Sequence, residues 1–124
     1  MAATSVPAAF SAAQRAAALC LDLKANDVMV LNLKGVSEMT DCFVIASGTS
    51  DTHVRSLGEH VLEEMKKEGQ RVHHIEGLQQ GRWVLLDYVD FVVHLFHPTL
   101  RNFYQLERLW GDAEVIPVGA EALK

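Results

Sequence analysis

The sequence predicts an α+β protein built on a five-stranded sheet with helices packed on it. In some segments apolar residues recur every three or four positions, which is the spacing of a helix that buries one face. Other segments are short runs of β-branched and aromatic residues, which are typical of strands. The two kinds of segment follow one another as α-β-β-α-β-β-β-α, an order that favours an α+β sheet over an alternating parallel fold.

The first half of the chain is expected to form a helix, a hairpin and a second helix. Residues 11–25 are rich in alanine, the strongest helix former. Residues 28–33 and 41–47 are β-rich, and the short connection between them predicts an antiparallel hairpin. Ser50 then caps a helix over 51–68. The buried stripe of this helix is expected to consist of Val54, Leu57, Val61 and Met65.

The second half is expected to form three strands and a helix. Residues 71–75 are polar enough for a short edge strand. Residues 82–87 and 90–96 lie close enough to form a hairpin that turns at 88–89. A last helix is predicted over 98–110, because proline is well tolerated in a first helical turn and Gly111 follows.

The chain is expected to contain one domain. Its 124 residues fit a single unit that buries roughly two-thirds of the unfolded surface. We assign residues 1–10 to a flexible N-terminal tail, residues 11–111 to the domain and residues 112–124 to a C-terminal tail, which shows no periodicity.

Charge, the length of apolar runs and the cysteines indicate which partners and which compartment to expect. The chain has 11 basic and 16 acidic residues and a net charge of −5, which favours a basic protein over nucleic acid as the main contact. No apolar run reaches the roughly 18 residues that a membrane helix needs, so no membrane contact is expected. Cys20 and Cys42 match no disulfide or zinc spacing and fit reduced thiols in a bacterial cytoplasm. Residues 1–21 lack acids, which leaves an organelle origin open.

Enzyme motifs are incomplete. The segment 48–50, Gly-Thr-Ser before a helix, lacks the Gly-Lys-Ser/Thr ending of a P-loop. Asp87 and Asp90 are three positions apart and cannot share one strand face, as a nucleotidyltransferase metal site would require. His94 and His97 fail as a metal pair for the same reason. We therefore expect no catalysis, no metal and no cofactor.

The strand over 82–87 carries large apolar groups on both faces. Trp83, Leu85 and Asp87 share one face, and Val84, Leu86 and Tyr88 share the other. Either helices cover both faces or a partner covers one of them, and the pattern does not decide between these readings. Aromatic rings beside acidic groups would suit a basic protein. An apolar patch of this kind also predicts a homodimer when the protein is free.

Three segments together resemble the RsfS/Iojap family: TDCFVIASGTSDTHVRSLGEHV, RWVLLDYVDFVVHLFHP preceded by EG, and RNFYQLERLW. The resemblance implies a mixed five-stranded sheet flanked by helices, in a nucleotidyltransferase-like fold without a catalytic site. It also implies binding to the large ribosomal subunit through its protein uL14, which blocks association with the small subunit and represses translation. The partner-facing patch of the family falls here on Glu76, Gly77, Trp83, Leu85, Asp87, Tyr88 and Asp90. The alternatives are a generic dimeric interaction module and a nucleotidyltransferase-like enzyme.

The chain departs from the family at Val89, where a glycine is common. A β-branched residue resists a positive φ. We therefore expect the hairpin turn either to avoid left-handed geometry at this position or to be strained.

Overall fold

The computed structural model describes residues 8–35, 38, 40–100 and 114–116. Their elements are, in chain order, α1 (Ala8–Asp22), β1 (Asn26–Asn32), β2 (Cys42–Ser47), α2 (Asp51–Lys67), β3 (His74–Glu76), β4 (Trp83–Asp87), β5 (Phe91–Phe96) and β6 (Glu114–Ile116). The α+β class and the flanked mixed sheet are confirmed. Residues 98–100 are helical, as predicted, and the rest of the predicted helix over 98–110 lies outside the described residues.

The sheet has the strand order β3-β4-β5-β2-β1-β6. Both predicted hairpins are present and antiparallel, and β3 is an edge strand. β2 and β5 pair in parallel, so the chain between them crosses over through α2. This long-range pairing makes the sheet mixed.

The prediction of five strands is wrong, because the sheet has six. β6 lies within residues 112–124, which were assigned to a tail, and pairs antiparallel with β1 from Val30↔Ile116 to Asn32↔Glu114. Three residues are too few for an alternating pattern to emerge from the sequence. The extended conformation of β6 comes from its pairing with β1 at the edge of the sheet. The N-terminal tail was predicted over residues 1–10, but α1 already begins at Ala8.

α2 forms where its cap and its apolar stripe predicted it. The Ser50 Oγ accepts a hydrogen bond from the backbone N–H of His53 at 3.1 Å, which satisfies one free donor of the first turn. All four residues of the predicted stripe are fully buried. α2 and α1 pack on each other and on one face of the sheet, which places the main core there. Neither of these helices is long and apolar enough to cross a bilayer.

The other face of the sheet, which we call the second face, carries a smaller apolar cluster. Leu31, Leu33, Ile45 and Phe96 are its buried members, and Met29, Phe43, Trp83 and Leu100 pack against them. Along β4 the side chains alternate between half-buried on the second face and buried on the helix face. The sequence left open whether helices cover both faces of the sheet or a partner covers one of them. α1 and α2 cover one face only. The likeness to nucleotidyltransferases stays a prediction.

Candidate functional site

A groove of about 520 Å³ opens on the second face beside β3 and β4. Its lining residues are His74, Glu76, Gly77, Trp83, Leu85 and Asp87. The register brings them together, because His74 lies opposite Asp87 and Glu76 opposite Leu85, and directly opposed residues project to the same face. Five of the seven predicted site residues therefore share one groove. Its floor is apolar, and its walls carry Asp87 and the Glu76 carboxylate, which lies 2.6 Å from Nε2 of His74.

Gly77 shapes one end of this groove. Its φ is +72°, a left-handed conformation that favours glycine. A Cβ at this position would also collide with the backbone carbonyl oxygen of Trp83. A side chain here would push β4 away from the loop that precedes it, so Gly77 acts through backbone shape and contributes no contact chemistry of its own.

Trp83 is half-buried and belongs both to the groove and to the second-face cluster. Its indole Nε1–H donates a hydrogen bond to Nδ1 of His94 at 3.1 Å. Its ring centroid lies 5.1 Å from that of Phe96. The polar end of the indole is thus engaged inside the protein, and the ring packs on Phe96 at the edge of the groove.

His94 does not line the groove but contacts it from β5 through Trp83, which the sequence did not predict. It is only 5% exposed, and burial lowers the pKa of its imidazole to about 4, so the ring is neutral near pH 7. Because the indole N–H can only donate, Nδ1 of His94 must accept, and the ring proton resides on Nε2. His94 lies on β5 directly opposite Leu85, and the sequence predicts this hairpin but not its register.

Asp87 holds the turn between β4 and β5. Its Oδ1 accepts a hydrogen bond from the backbone N–H of Val89 at 2.8 Å. The backbone N–H of Asp90 in turn donates to the carbonyl of Tyr88 at 2.9 Å, which closes a three-residue turn around Val89. The φ of Val89 is +74°, so of the two predicted outcomes the turn takes the strained one.

Two contacts from the loop before β2 secure this strained turn. The Thr40 hydroxyl donates to the carbonyl of Val89 at 3.1 Å, and the backbone N–H of Asp41 donates to the carbonyl of Asp90 at 3.0 Å. A left-handed conformation in a non-glycine residue costs on the order of 1–3 kcal/mol. These bonds over-determine the turn and offset part of that cost.

Two of the predicted site residues lie outside the groove. Tyr88 is 7% exposed, belongs to the main core under the helices and stacks on Phe91 at 4.8 Å between ring centroids. Its placement in a partner-facing patch is therefore corrected: side chains alternate along a strand, and Tyr88 follows Val84 and Leu86 onto the helix face. Asp90 is exposed in the turn but does not line the groove.

The glycine-containing segment before α2 uses its polar groups locally. The backbone N–H of Thr49 donates to Nδ1 of His53 at 2.8 Å, while Ser50 caps the helix. Residues 48–50 are thus committed to starting the helix. In the part of the chain that the structure describes, no three or more His, Cys, Asp or Glu side chains are grouped to hold a metal ion.

The helix-backed sheet and its shallow groove define a small α+β domain with an apolar and acidic surface site. The chain belongs to the RsfS family, whose model, described as "Ribosomal silencing factor during starvation", matches residues 6–124. Ribosomal silencing factor RsfS of Bacillus subtilis (strain 168) is 42% identical over 98 residues, which cover 79% of this chain and 83% of that protein.

Similarity extends to an organelle protein and to a solved structure. Chloroplastic protein Iojap of Arabidopsis thaliana is 34% identical over 100 residues, which cover 81% of this chain and 42% of that protein. The crystal structure of a Chromobacterium violaceum protein superposes with a TM-score of 0.82 at 27% identity, covering 92% of this chain and 94% of that one. The family thus has bacterial and organelle members.

Proposed function

We propose that this protein silences translation by binding ribosomal protein uL14 on the large subunit and so blocking association with the small subunit. Membership of a ribosomal silencing family supports the ribosome as the target. The observation that carries the proposal is the groove on the second face beside β3 and β4, where Trp83 and Leu85 lie near Glu76 and Asp87.

The chemistry of the groove suits a basic partner. The stem of a lysine or arginine would lie on the Trp83 ring, where the ring face attracts a cation. The carboxylates of Glu76 and Asp87 would receive the charged end. The net charge of −5 adds a favourable long-range field for a basic protein and an unfavourable one for RNA phosphates. Protein is therefore the main contact, and RNA is not.

The protein acts by occupying a surface, without catalysis, metal or cofactor, in the bacterial cytoplasm. Two observations favour this over the nucleotidyltransferase alternative. Asp90 does not line the groove with Asp87, so no carboxylate pair forms there, and before α2 the Thr49 N–H donates to His53 while the Ser50 Oγ accepts from the first turn of the helix. Titration with ATP and magnesium should give no heat of binding, and micromolar affinity would favour the enzyme instead.

The free protein covers the same face by pairing with a second copy. Half-buried apolar groups on the second face favour such self-association in the absence of the ribosome. Light scattering over a concentration series should then show a dimer that large subunits dissociate. A monomer at every concentration would refute the dimer and leave the ribosome proposal intact, whereas a dimer that never binds subunits would favour the generic interaction module.

Co-sedimentation with purified large and small subunits tests the main proposal. The protein should pellet with large subunits only, should fail to pellet with large subunits that lack uL14, and should reduce subunit joining. Glu76→Lys places a cation in the groove and should weaken binding at least about tenfold at low salt. Glu59→Lys is the matched control, because Glu59 is an exposed residue of α2, which packs on the opposite face. Equal binding by both variants would exclude the groove.

A further inference from the structure

We propose that His94 is a positioning residue: by accepting the indole N–H of Trp83, it fixes the orientation in which the ring meets its partner. This inference rests on the proposed function of the groove. It adds a residue that lies beneath the site on the neighbouring strand and does not line the groove itself.

The bond between the two side chains runs diagonally across the β4–β5 pair. Trp83 lies opposite Phe96 and Leu85 lies opposite His94, so His94 reaches Trp83 from the neighbouring register position. The Nε1–Nδ1 distance of 3.1 Å is that of a well-formed hydrogen bond. A half-buried tryptophan has several side-chain rotamers, and this bond favours the one that directs its N–H inward.

His94 is itself held rigidly. Its ring meets the edge of Phe43 at 4.5 Å between centroids and stacks with Phe96 at 6.2 Å. It is buried, and its opposite residues on the two neighbouring strands are the aliphatic Leu85 and Ile45. An acceptor fixed in this way orders the indole before the partner arrives. Ordering a contact side chain in advance reduces the entropy cost of binding.

Three single variants and one double variant separate positioning from packing. His94→Phe keeps a ring but removes the acceptor, so large-subunit binding should fall by up to about tenfold, the value of one buried hydrogen bond. His94→Gln supplies an amide oxygen that can accept the same proton, so binding should stay within about threefold of the original. Trp83→Phe removes the donor, and His94→Phe should add little further loss in that background.

The indole N–H resonance of Trp83 gives a readout that packing alone would not move. In ¹⁵N-labelled protein, the signal that disappears in Trp83→Phe belongs to this indole. It should exchange slowly with solvent in the original protein and in His94→Gln, and faster in His94→Phe.

The outcomes distinguish this inference from the proposed function. Folded His94→Phe that binds as tightly as the original protein overturns the positioning role, and so does unchanged exchange of the indole proton. If His94→Phe does not fold, unchanged binding by Trp83→Phe overturns the role just as well. If the original protein does not bind large subunits at all, the proposed function fails first.

Discussion

The Asp87 carboxylate accepts a hydrogen bond from the backbone N–H of Val89, two residues further along, at 2.8 Å. A side chain that lines the groove therefore also holds the turn that ends β4. The site and the strained turn are coupled through this one residue, and a change in Asp87 alters both the charge of the groove and the shape of its border.

Asp87→Asn and Asp87→Ala should separate these two roles. Asparagine keeps a side-chain oxygen that can accept from Val89, so stability should change little, while the lost charge weakens large-subunit binding. Alanine loses the acceptor as well and should unfold about 1 kcal/mol more easily than the asparagine variant. Urea denaturation measures the stability difference. Binding at rising ionic strength should bring Asp87→Asn closer to the original protein, and equal stability of the two variants would refute the turn-holding role.

Val89→Gly should stabilise the protein. Glycine adopts the φ of +74° without strain, which recovers on the order of 1–3 kcal/mol. Its greater freedom in the unfolded chain costs roughly 0.5–1 kcal/mol, so a net gain of about 1 kcal/mol is expected. Val92→Gly in β5 is the control, because Val92 has no positive φ and should lose stability. A lower melting temperature for Val89→Gly would show that the turn is not strained.

Trp83→Ala should weaken large-subunit binding by roughly thirty-fold, since a large ring at the centre of an interface contributes about 2 kcal/mol. The same change should lower stability by about 2 kcal/mol, less than for a fully buried ring, because Trp83 is only half-buried. Ile75→Ala is the control: Ile75 is 39% exposed, but its strand position directs it to the other face. Thermal melting has to accompany the binding assay. A folded Trp83→Ala that binds at full strength would place the site elsewhere.

Acid should destabilise the protein through His94. Burial holds the pKa of this histidine at about 4, below the ordinary value of 6.5 that it regains on unfolding. Between pH 4 and 6.5 the unfolded chain binds a proton on His94 that the folded protein does not bind. The contribution of the neutral ring to the free energy of unfolding is therefore complete above pH 6.5 and is lost as the pH falls through 4. Its full size is about 3 kcal/mol. Unfolding free energies of the original protein and of His94→Gln should converge as the pH falls from 7 to 4, whereas parallel curves would contradict the buried neutral ring.

The two cysteines should resist thiol reagents in the native protein. Burial raises the pKa of both Cys20 and Cys42 to about 12, so almost no thiolate is present near pH 7. Modification should wait for the chain to open and should accelerate sharply in denaturant, where both thiols react. A stopped-flow reaction with a chromogenic disulfide measures this. Rapid stoichiometric labelling without denaturant would contradict the burial.

Periodicity predicted the parts of the fold that depend on near neighbours. α2 was found because Ser50 supplies a cap and four apolar residues recur on one stripe. Both hairpins were found because their strands are close along the chain. The parallel pairing of β2 with β5 joins distant segments, and β6 is too short to show an alternating pattern. Neither could be read from local sequence.

The lining of the groove was predicted in part. Family resemblance and alternation agreed on Trp83, Leu85 and Asp87, which share the groove. Family resemblance placed Tyr88 in the patch, whereas strand alternation placed it on the opposite face. The structure agrees with alternation, because Tyr88 lies in the core. His94 was missed because its role comes from a contact with a neighbouring strand, and one strand's sequence does not show which residues its neighbour brings alongside.

The parallel pair of β2 and β5 has a consequence for synthesis. The β1–β2 hairpin is the first part of the sheet that a growing chain completes. Its neighbours come later: β5 pairs with β2 but follows α2, β3 and β4, and β6 pairs with β1. Until then both edges of the hairpin are unpaired, a state that favours aggregation and chaperone binding. Nascent chains arrested after α2 should therefore be captured by chaperones and cut by protease. Chains extended past residue 116 and clear of the exit tunnel should be protected. Folding of this ribosomal factor therefore requires that the translating ribosome does not pause between β2 and β6.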